Sequence, residues 1–342
     1  MSENIFAERG LAVFGDKFIG RKELLKKIGQ YVLGPNRSGN LALVGIPAIG
    51  KSSLVKQFLY LNEQAIIREE VLLIEINLGA IENIKHFHLK MVTTVLEQLE
   101  NLKKLTGDSP IHKTGVEAIR SLNRAEMVTD EINAINAFYL SVKTAKWEIT
   151  FILDNFDEAK EKFPSKSSFQ QLLALLESHY FSLITLSRER IYQIERTTPA
   201  LSQLSRVLSE EYIPMLSREE VEDYLNQLSL CNILLTDKIR EKAIEICGNH
   251  PFLLNLFCNH LVNQKLIIAN SEENISFDID KVTDIHNYFE KLNDWVSKIS
   301  LHKEKKVSFD DLIRYHVVKE LSIDNFTTFS KCFKPYLHDY DF

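Results

Sequence analysis

Five short apolar runs are spaced along the chain, at 41–45 (LALVG), 71–78 (VLLIEINL), 148–153 (EITFIL), 182–187 (SLITLS) and roughly 206–213. Each is short and nearly continuously apolar, the pattern of a strand covered on both faces in a parallel sheet. Helical periodicity fills the intervals at 52–63, 86–105, about 125–145 and 168–179. Such alternation predicts an α/β domain: a parallel sheet of about five strands flanked by helices and joined by right-handed crossovers. The interval between the second and third strands is long enough for two or three helices. Its middle, TGDSPIHKTG, reads as a loop because Gly107, Pro110 and Gly115 interrupt it.

After Pro214 the pattern changes to helices alone. Ser217 followed three residues later by Glu220 is a capping box opening an amphipathic helix. Thr236 is the expected cap of the next helix, which runs to Gly248, and Pro251 starts an apolar one, FLLNLFCNHLVNQKL. Further helical patterns cover about 280–299 and 308–321. The expected organisation is therefore a nucleotide-binding α/β domain over 1–214, a helical domain over 215–300 and a helical tail over 301–342. Within the tail, SFDDLIRYHVVKELS could open a winged-helix domain. Internal repeats and low-complexity segments are absent from the sequence.

The first apolar run passes into GIPAIGKSS, which fits G-x-x-x-x-G-K-[ST], the P-loop pattern. Gly45 and Gly50 give the backbone freedom to turn successive N–H groups toward one point, and Pro47 stiffens the loop between them. The cofactor-binding candidates are thus Gly45, Ile46, Pro47, Ala48, Ile49, Gly50, Lys51, Ser52 and Ser53. Lys51 adds a point charge for phosphate, and the Ser52 hydroxyl suits Mg²⁺. The preceding strand and following helix are what the motif requires, so the chain is expected to bind ATP or ADP.

The third run ends at Asp154 in WEITFILDNFDE. An aspartate at the C-terminal end of a buried parallel strand sits where ligands bind in open α/β sheets. Beside a P-loop it reads as a Walker B aspartate, the second metal ligand with Ser52. Many such ATPases carry a glutamate directly after that aspartate; here the residue is Asn155. The acids within reach are Asp157 and Glu158, either of which could orient water or cap the next segment, and reach favours Asp157. The fourth run ends in TLSRER, where Arg188 follows the apolar residues and suits a γ-phosphate contact, while Arg190 equally suits a solvated helix.

Composition narrows the classes. The 342 residues carry a net charge of −6, so no global field draws the chain to nucleic acid or to an anionic membrane. The N-terminus lacks a signal-peptide pattern, and no apolar run is long enough to span a bilayer. Cys231, Cys247, Cys258 and Cys332 have no paired C-x-x-C spacing and read as reduced thiols, which points to the cytoplasm. His86 and His88 form H-x-H without accompanying ligands and read as an ordinary helix-start surface. KEKK at 303–306 reads as a solvated loop.

Taken in order, FIGRKELLKKI (18–28), the P-loop, LDNFDE, TLSRER and GNHPFLLNLF (248–257) resemble a STAND-type ATPase, a signal-transducing branch of the AAA+-related P-loop enzymes that includes NB-ARC proteins. The resemblance covers about 15–300. It implies that Phe18, Ile19, Gly20 and Arg21 lie beside the adenine, and that Gly248, Asn249, His250 and Pro251 close on the nucleotide from the helical domain. Asn155 departs from the commoner pair of acids, which implies slow hydrolysis.

The leading expectation is an ATP/ADP-dependent switch with slow ATPase activity, in signal transduction or in stress and phage defence, that forms a homo-oligomer in its ATP state. The chain begins almost at F-I-G-R and stops soon after the helical domain. It is thus expected to be a fragment, or to rely on a separate sensor or effector protein. The second class is a DNA-associated ATPase of the origin-recognition or transposition type, against which the acidic balance and the lack of a basic stripe count. A metabolic P-loop kinase is third, disfavoured by the helical clamp.

Overall fold

The structure, a computed structural model, describes residues 4–7, 10–34, 37, 39–124, 128–163, 166–195, 204–263, 283–301, 314–322 and 325–333. The described chain divides into two compact units. One comprises Met1–Lys22, Gly45–Gln57 and Tyr212–Phe342; the other comprises Glu23–Val44 and Phe58–Glu211.

The second unit is built on a five-stranded sheet of β1 (Asn40–Val44), β2 (Val71–Asn77), β3 (Glu148–Asp154), β4 (Ser182–Ser187) and β5 (Leu208–Tyr212), in the order β2-β3-β4-β1-β5. β2 pairs parallel with β3, β3 with β4 and β4 with β1, so the C-terminal ends of these four strands share one edge. All five strands fall where the apolar runs predict them. The continuous apolar pattern has the expected cause, since β4 is buried along its whole length and β1 along all but Asn40. Behind the sheet, Phe151 and Phe181 meet edge to face at 5.0 Å, and Tyr139 packs against both.

The helices in chain order are α1 (Lys22–Val32), α2 (Lys51–Arg68), α3 (Ile84–Asn101), α4 (Pro110–Arg124), α5 (Val128–Thr144), α6 (Ala159–Lys162), α7 (Lys166–Glu177), α8 (Ile191–Glu195), α9 (Leu204–Val207), α10 (Arg218–Asn226), α11 (Asp237–Cys247), α12 (Pro251–Asn263) and α13 (Thr283–Leu301). Three of these expectations need correction. The stretch read as a loop around Pro110 is helix α4. Pro110 is its first residue, where a missing N–H costs nothing, and Gly115 is buried where the helix crosses α3 and α5. A Cβ at Gly115 would come within 2.9 Å of the Leu96 methyls and 3.1 Å of Phe138. His88 belongs to no surface: it is buried, with Nε2 3.4 Å from Gln171 Oε1. The pattern at 308–321 is not helical throughout, because β6 (Val318–Ser322) pairs antiparallel with β7 (Asn325–Thr328).

In the first unit, the capping box at Ser217 and Glu220 forms as the spacing predicts. Thr236 occupies the N-cap position of α11 without a side-chain capping bond. The core here is aromatic: His250, Tyr288, Phe289, Phe329 and Phe333 form a run of ring contacts joining α12, α13 and the residues after β7. The four cysteines are free thiols, three of them buried. KEKK at 303–306 lies outside the described residues.

Candidate nucleotide-binding site

The P-loop leaves the end of β1 and becomes the first turn of α2 at Lys51. Ile46 and Ile49 are buried and pin the loop, while Ala48 is exposed at its tip. Ala48 and Gly50 have φ of 55° and 95°. Alternation between right- and left-handed backbone turns neighbouring N–H groups to one side, the geometry of an anion nest. Gly50 cannot be replaced without strain at that φ, and its added Cβ would meet Arg21 Nη1 at 3.0 Å. The Lys51 ammonium donates to the Gly45 and Ile46 carbonyls at 2.8 and 3.1 Å, so it is held at the loop's own mouth. Ser52 lies half-buried in the first turn of α2. The Ser53 hydroxyl accepts the N–H of Val13 at 3.1 Å, fastening the N-terminal segment to the helix.

Phe18, Ile19 and Gly20 are half-buried and Arg21 is buried. The Arg21 N–H donates to Glu220 Oε1 at 2.6 Å, and its Nη2 donates to the Pro214 carbonyl at 3.3 Å. The other oxygen of Glu220 accepts the Ser217 N–H at 2.7 Å, so one carboxylate both caps α10 and holds Arg21. Burial pushes the Arg21 guanidinium down to about 10 against the opposing pull of Glu220, which leaves it charged at neutral pH. The guanidinium therefore approaches the P-loop at Gly50.

Gly248 ends α11 with φ 56°, and a Cβ there would come within 1.8 Å of the Phe329 carbonyl oxygen. Asn249 Nδ2 donates to the Leu216 carbonyl at 2.6 Å, and Pro251 is the first residue of α12. His250 is fully buried. Its Nε2 lies 2.7 Å from the Tyr288 hydroxyl, which in turn donates to the Pro47 carbonyl at 2.9 Å. Burial, then the charges of Arg21 and Lys51, depress the His250 imidazole to about 3, so it is neutral at physiological pH. Tyr288 belongs to no sequence motif. On the helical pattern at 280–299 it reads as one more core aromatic.

The second unit holds the acidic residues. Asp154 ends β3, and its Oδ1 accepts the N–H of Asn155 at 2.8 Å. Asn155 sits in the left-handed region and donates from Nδ2 to Asn77 Oδ1, at the end of β2, at 3.0 Å. Asp157 and Arg188, read separately from the sequence, are partners. The buried Asp157 carboxylate accepts the Arg188 N–H at 2.9 Å, the Glu189 N–H at 2.9 Å and Arg188 Nε at 3.1 Å. Glu189 pairs with Lys160, and Arg190 Nε with Glu210 Oε2 at 3.0 Å. Glu158 is half-buried, and among the described residues its carboxylate has no hydrogen-bond or ion-pair partner.

These residues fit a nucleotide with a magnesium ion. The nest supplies N–H donors for phosphate and Lys51 a cation. The Ser52 hydroxyl suits a metal that keeps its waters and phosphate oxygens. Among the described residues, no group of three or more His, Cys, Asp or Glu side chains is placed to hold a metal without such help. Among them, too, no helix is long and apolar enough to cross a membrane.

No family model matches the chain, and no curated protein matches it. Solved structures do. The Aeropyrum pernix ORC2 protein in its ADPNP–ADP complexes is similar over 99% of this chain and 98% of that one, with a TM-score of 0.54 at 12% identity. The Aeropyrum pernix ORC1 protein in complex with DNA matches 83% of this chain and 68% of that one, with a TM-score of 0.47 at 14% identity. AMPPCP-bound DnaA from Aquifex aeolicus matches 88% and 78%, with 0.44 at 15%. At such identities the likeness is one of fold, and the ORC2 match carries it. The fold, a five-stranded sheet flanked by helices and followed by a largely helical C-terminal region, is similar to that of the ORC2 protein.

Proposed function

We propose that this chain is a Mg²⁺-dependent ATP-binding P-loop ATPase of the AAA+ type that works in association with DNA, as an origin-recognition-type ATPase. The observation that carries it is the P-loop nest at Ala48–Gly50, in a chain similar in fold to the ORC2 protein. That protein's description names ADPNP and ADP complexes, and the P-loop here supports the same ligand class.

The N–H groups of the loop and Lys51 hold the phosphates, and Ser52 and, by its place in the sequence motif, Asp154 are the residues that would hold the metal. Bound Mg²⁺ would neutralise charge developing on the phosphates. Phe18, Ile19 and Gly20 flank the base, whereas Arg21, from its place at Gly50, serves the phosphate side. His250 and Pro251 close the helical region on the site. For orienting water we favour Glu158 over Asp157, because the Asp157 lone pairs are taken by Arg188 and Glu189. Asp157 then acts by holding the Arg188 side chain in one orientation.

Asn155 supports a second reading, the nucleotide-dependent signalling switch. An amide where many such enzymes carry an acid slows hydrolysis and prolongs the ATP state. Assembly separates the two. Size-exclusion with a non-hydrolysable ATP analogue should give larger species only when duplex DNA is added. Oligomers formed with the analogue alone, in proportions DNA does not change, would favour the signalling switch.

A further inference from the structure

We infer that the Tyr288 hydroxyl, held by His250, is a positioning group of the P-loop: it sets the Pro47–Ala48 peptide plane and so aims the Ala48 N–H at the bound phosphate. This rests on the P-loop reading above and adds two residues to it. α13, the start of α12 and the loop all lie in the first unit, so the chain of contacts is internal to one compact body.

The geometry is specific. The peptide between Pro47 and Ala48 is trans, so its C=O and N–H point in opposite directions within one rigid plane. Anchoring the carbonyl outward on Tyr288, at 2.9 Å, fixes the direction of the N–H on the other side. That N–H belongs to Ala48, whose positive φ makes it part of the nest. An alanine held left-handed costs about 1 kcal/mol or more, so an external anchor is needed to keep it there.

The phenol has one proton. With that proton given to Pro47, its oxygen accepts from His250 Nε2–H at 2.7 Å. Network consistency thus assigns the Nε2–H tautomer, which agrees with a bare Nδ1 that has no hydrogen-bond partner. The His250 ring also lies beside the Pro47 carbonyl itself. Its part is to hold the hydroxyl in one orientation, and the ring contact with Phe252 at 5.3 Å holds the phenol ring.

Calorimetry on the full chain with Mg²⁺ and either ADP or a non-hydrolysable ATP analogue tests this. Tyr288→Phe removes one oxygen and keeps the ring. It should weaken both ligands by about five- to tenfold, one net hydrogen bond's worth. Hydrogen exchange at the amides of 48–50 in the bound state should lose protection in step. Phe289→Leu, which loosens the core on the same helix, should lower the melting temperature and leave affinity unchanged. His250→Asn, which keeps an amide donor near the phenol, should weaken binding less than His250→Leu. Unchanged affinity in Tyr288→Phe would overturn the inference, as would equal losses in Tyr288→Phe and Phe289→Leu. Should Tyr288→Phe not fold, equal effects of the two His250 variants would overturn it. Lys51→Ala is the reference. If it binds nucleotide normally, the P-loop reading fails and the inference with it; if it alone loses binding, only the inference fails.

Discussion

Lys51 donates to two carbonyls of its own loop, so its charge is already placed at the loop's mouth before any ligand is considered. Lys51→Ala should cost on the order of 2–4 kcal/mol in ATP affinity, because charge-assisted contacts in a desolvated site are the strong ones. Calorimetry reads this directly. At the acidic edge, Glu158→Gln should spare nucleotide binding and reduce turnover. Asp157→Asn should also slow turnover, but in parallel with Arg188→Ala and without further loss in the double variant, since both remove the same aimed guanidinium. Additive losses would restore Asp157 as an independent group. Lys51 and Asp154 are proposed from the sequence because their chemistry is tied to a local pattern. The Asp157–Arg188 and Tyr288–His250 pairs are not, because each joins residues 31 or more positions apart that carry no motif.

Two buried histidines give the stability a pH dependence of known sign. Burial holds His88 at about 4 and His250 at about 3, below the ordinary 6.5 of an unfolded imidazole. Below pH 6.5 the unfolded chain therefore binds more protons than the folded one. Stability should be fullest above 6.5 and fall as pH drops toward 4, by roughly 1.4 kcal/mol per pH unit for each proton. Urea midpoints between pH 7.5 and 5 measure it, and His88→Leu should flatten the slope. An unchanged slope in that variant would mean that His88 is not the titrating group.

At the scale of elements, the strands were legible because burial on both faces leaves a continuous apolar run. Helix α4 was not, although its sequence contains its own explanation. Pro110 and Gly115 look like breakers when read singly, yet one starts the helix and the other lets two neighbours approach. β6 was hidden for the opposite reason: VVKEL satisfies both periods over so short a span. The capping box was legible, but not the second task of its carboxylate. Ser217→Ala should cost about 1 kcal/mol, a usual capping loss. Glu220→Ala should cost more and also weaken nucleotide binding, because it frees the backbone of Arg21, whose guanidinium lies beside Gly50. Thermal melts of the two variants, with and without ADP, separate these effects.

For the whole molecule, the P-loop pattern and the helical pattern after Pro214 are read from the sequence, and the sequence alone ranks a signalling role above a DNA-associated one. F-I-G-R and G-N-H-P are short, and shared order among short motifs does not distinguish branches of one fold. An acidic net charge does not forbid DNA binding, since phosphate contacts depend on local placement of cations and not on their sum. The most direct test is anisotropy of a labelled duplex titrated with the full chain at near-physiological salt, with Mg²⁺ and either ADP or a non-hydrolysable ATP analogue. The expected result is duplex binding that is tighter with the analogue and lost in Lys51→Ala. A chain that binds both nucleotides yet leaves the duplex free in either state would contradict the DNA-associated role.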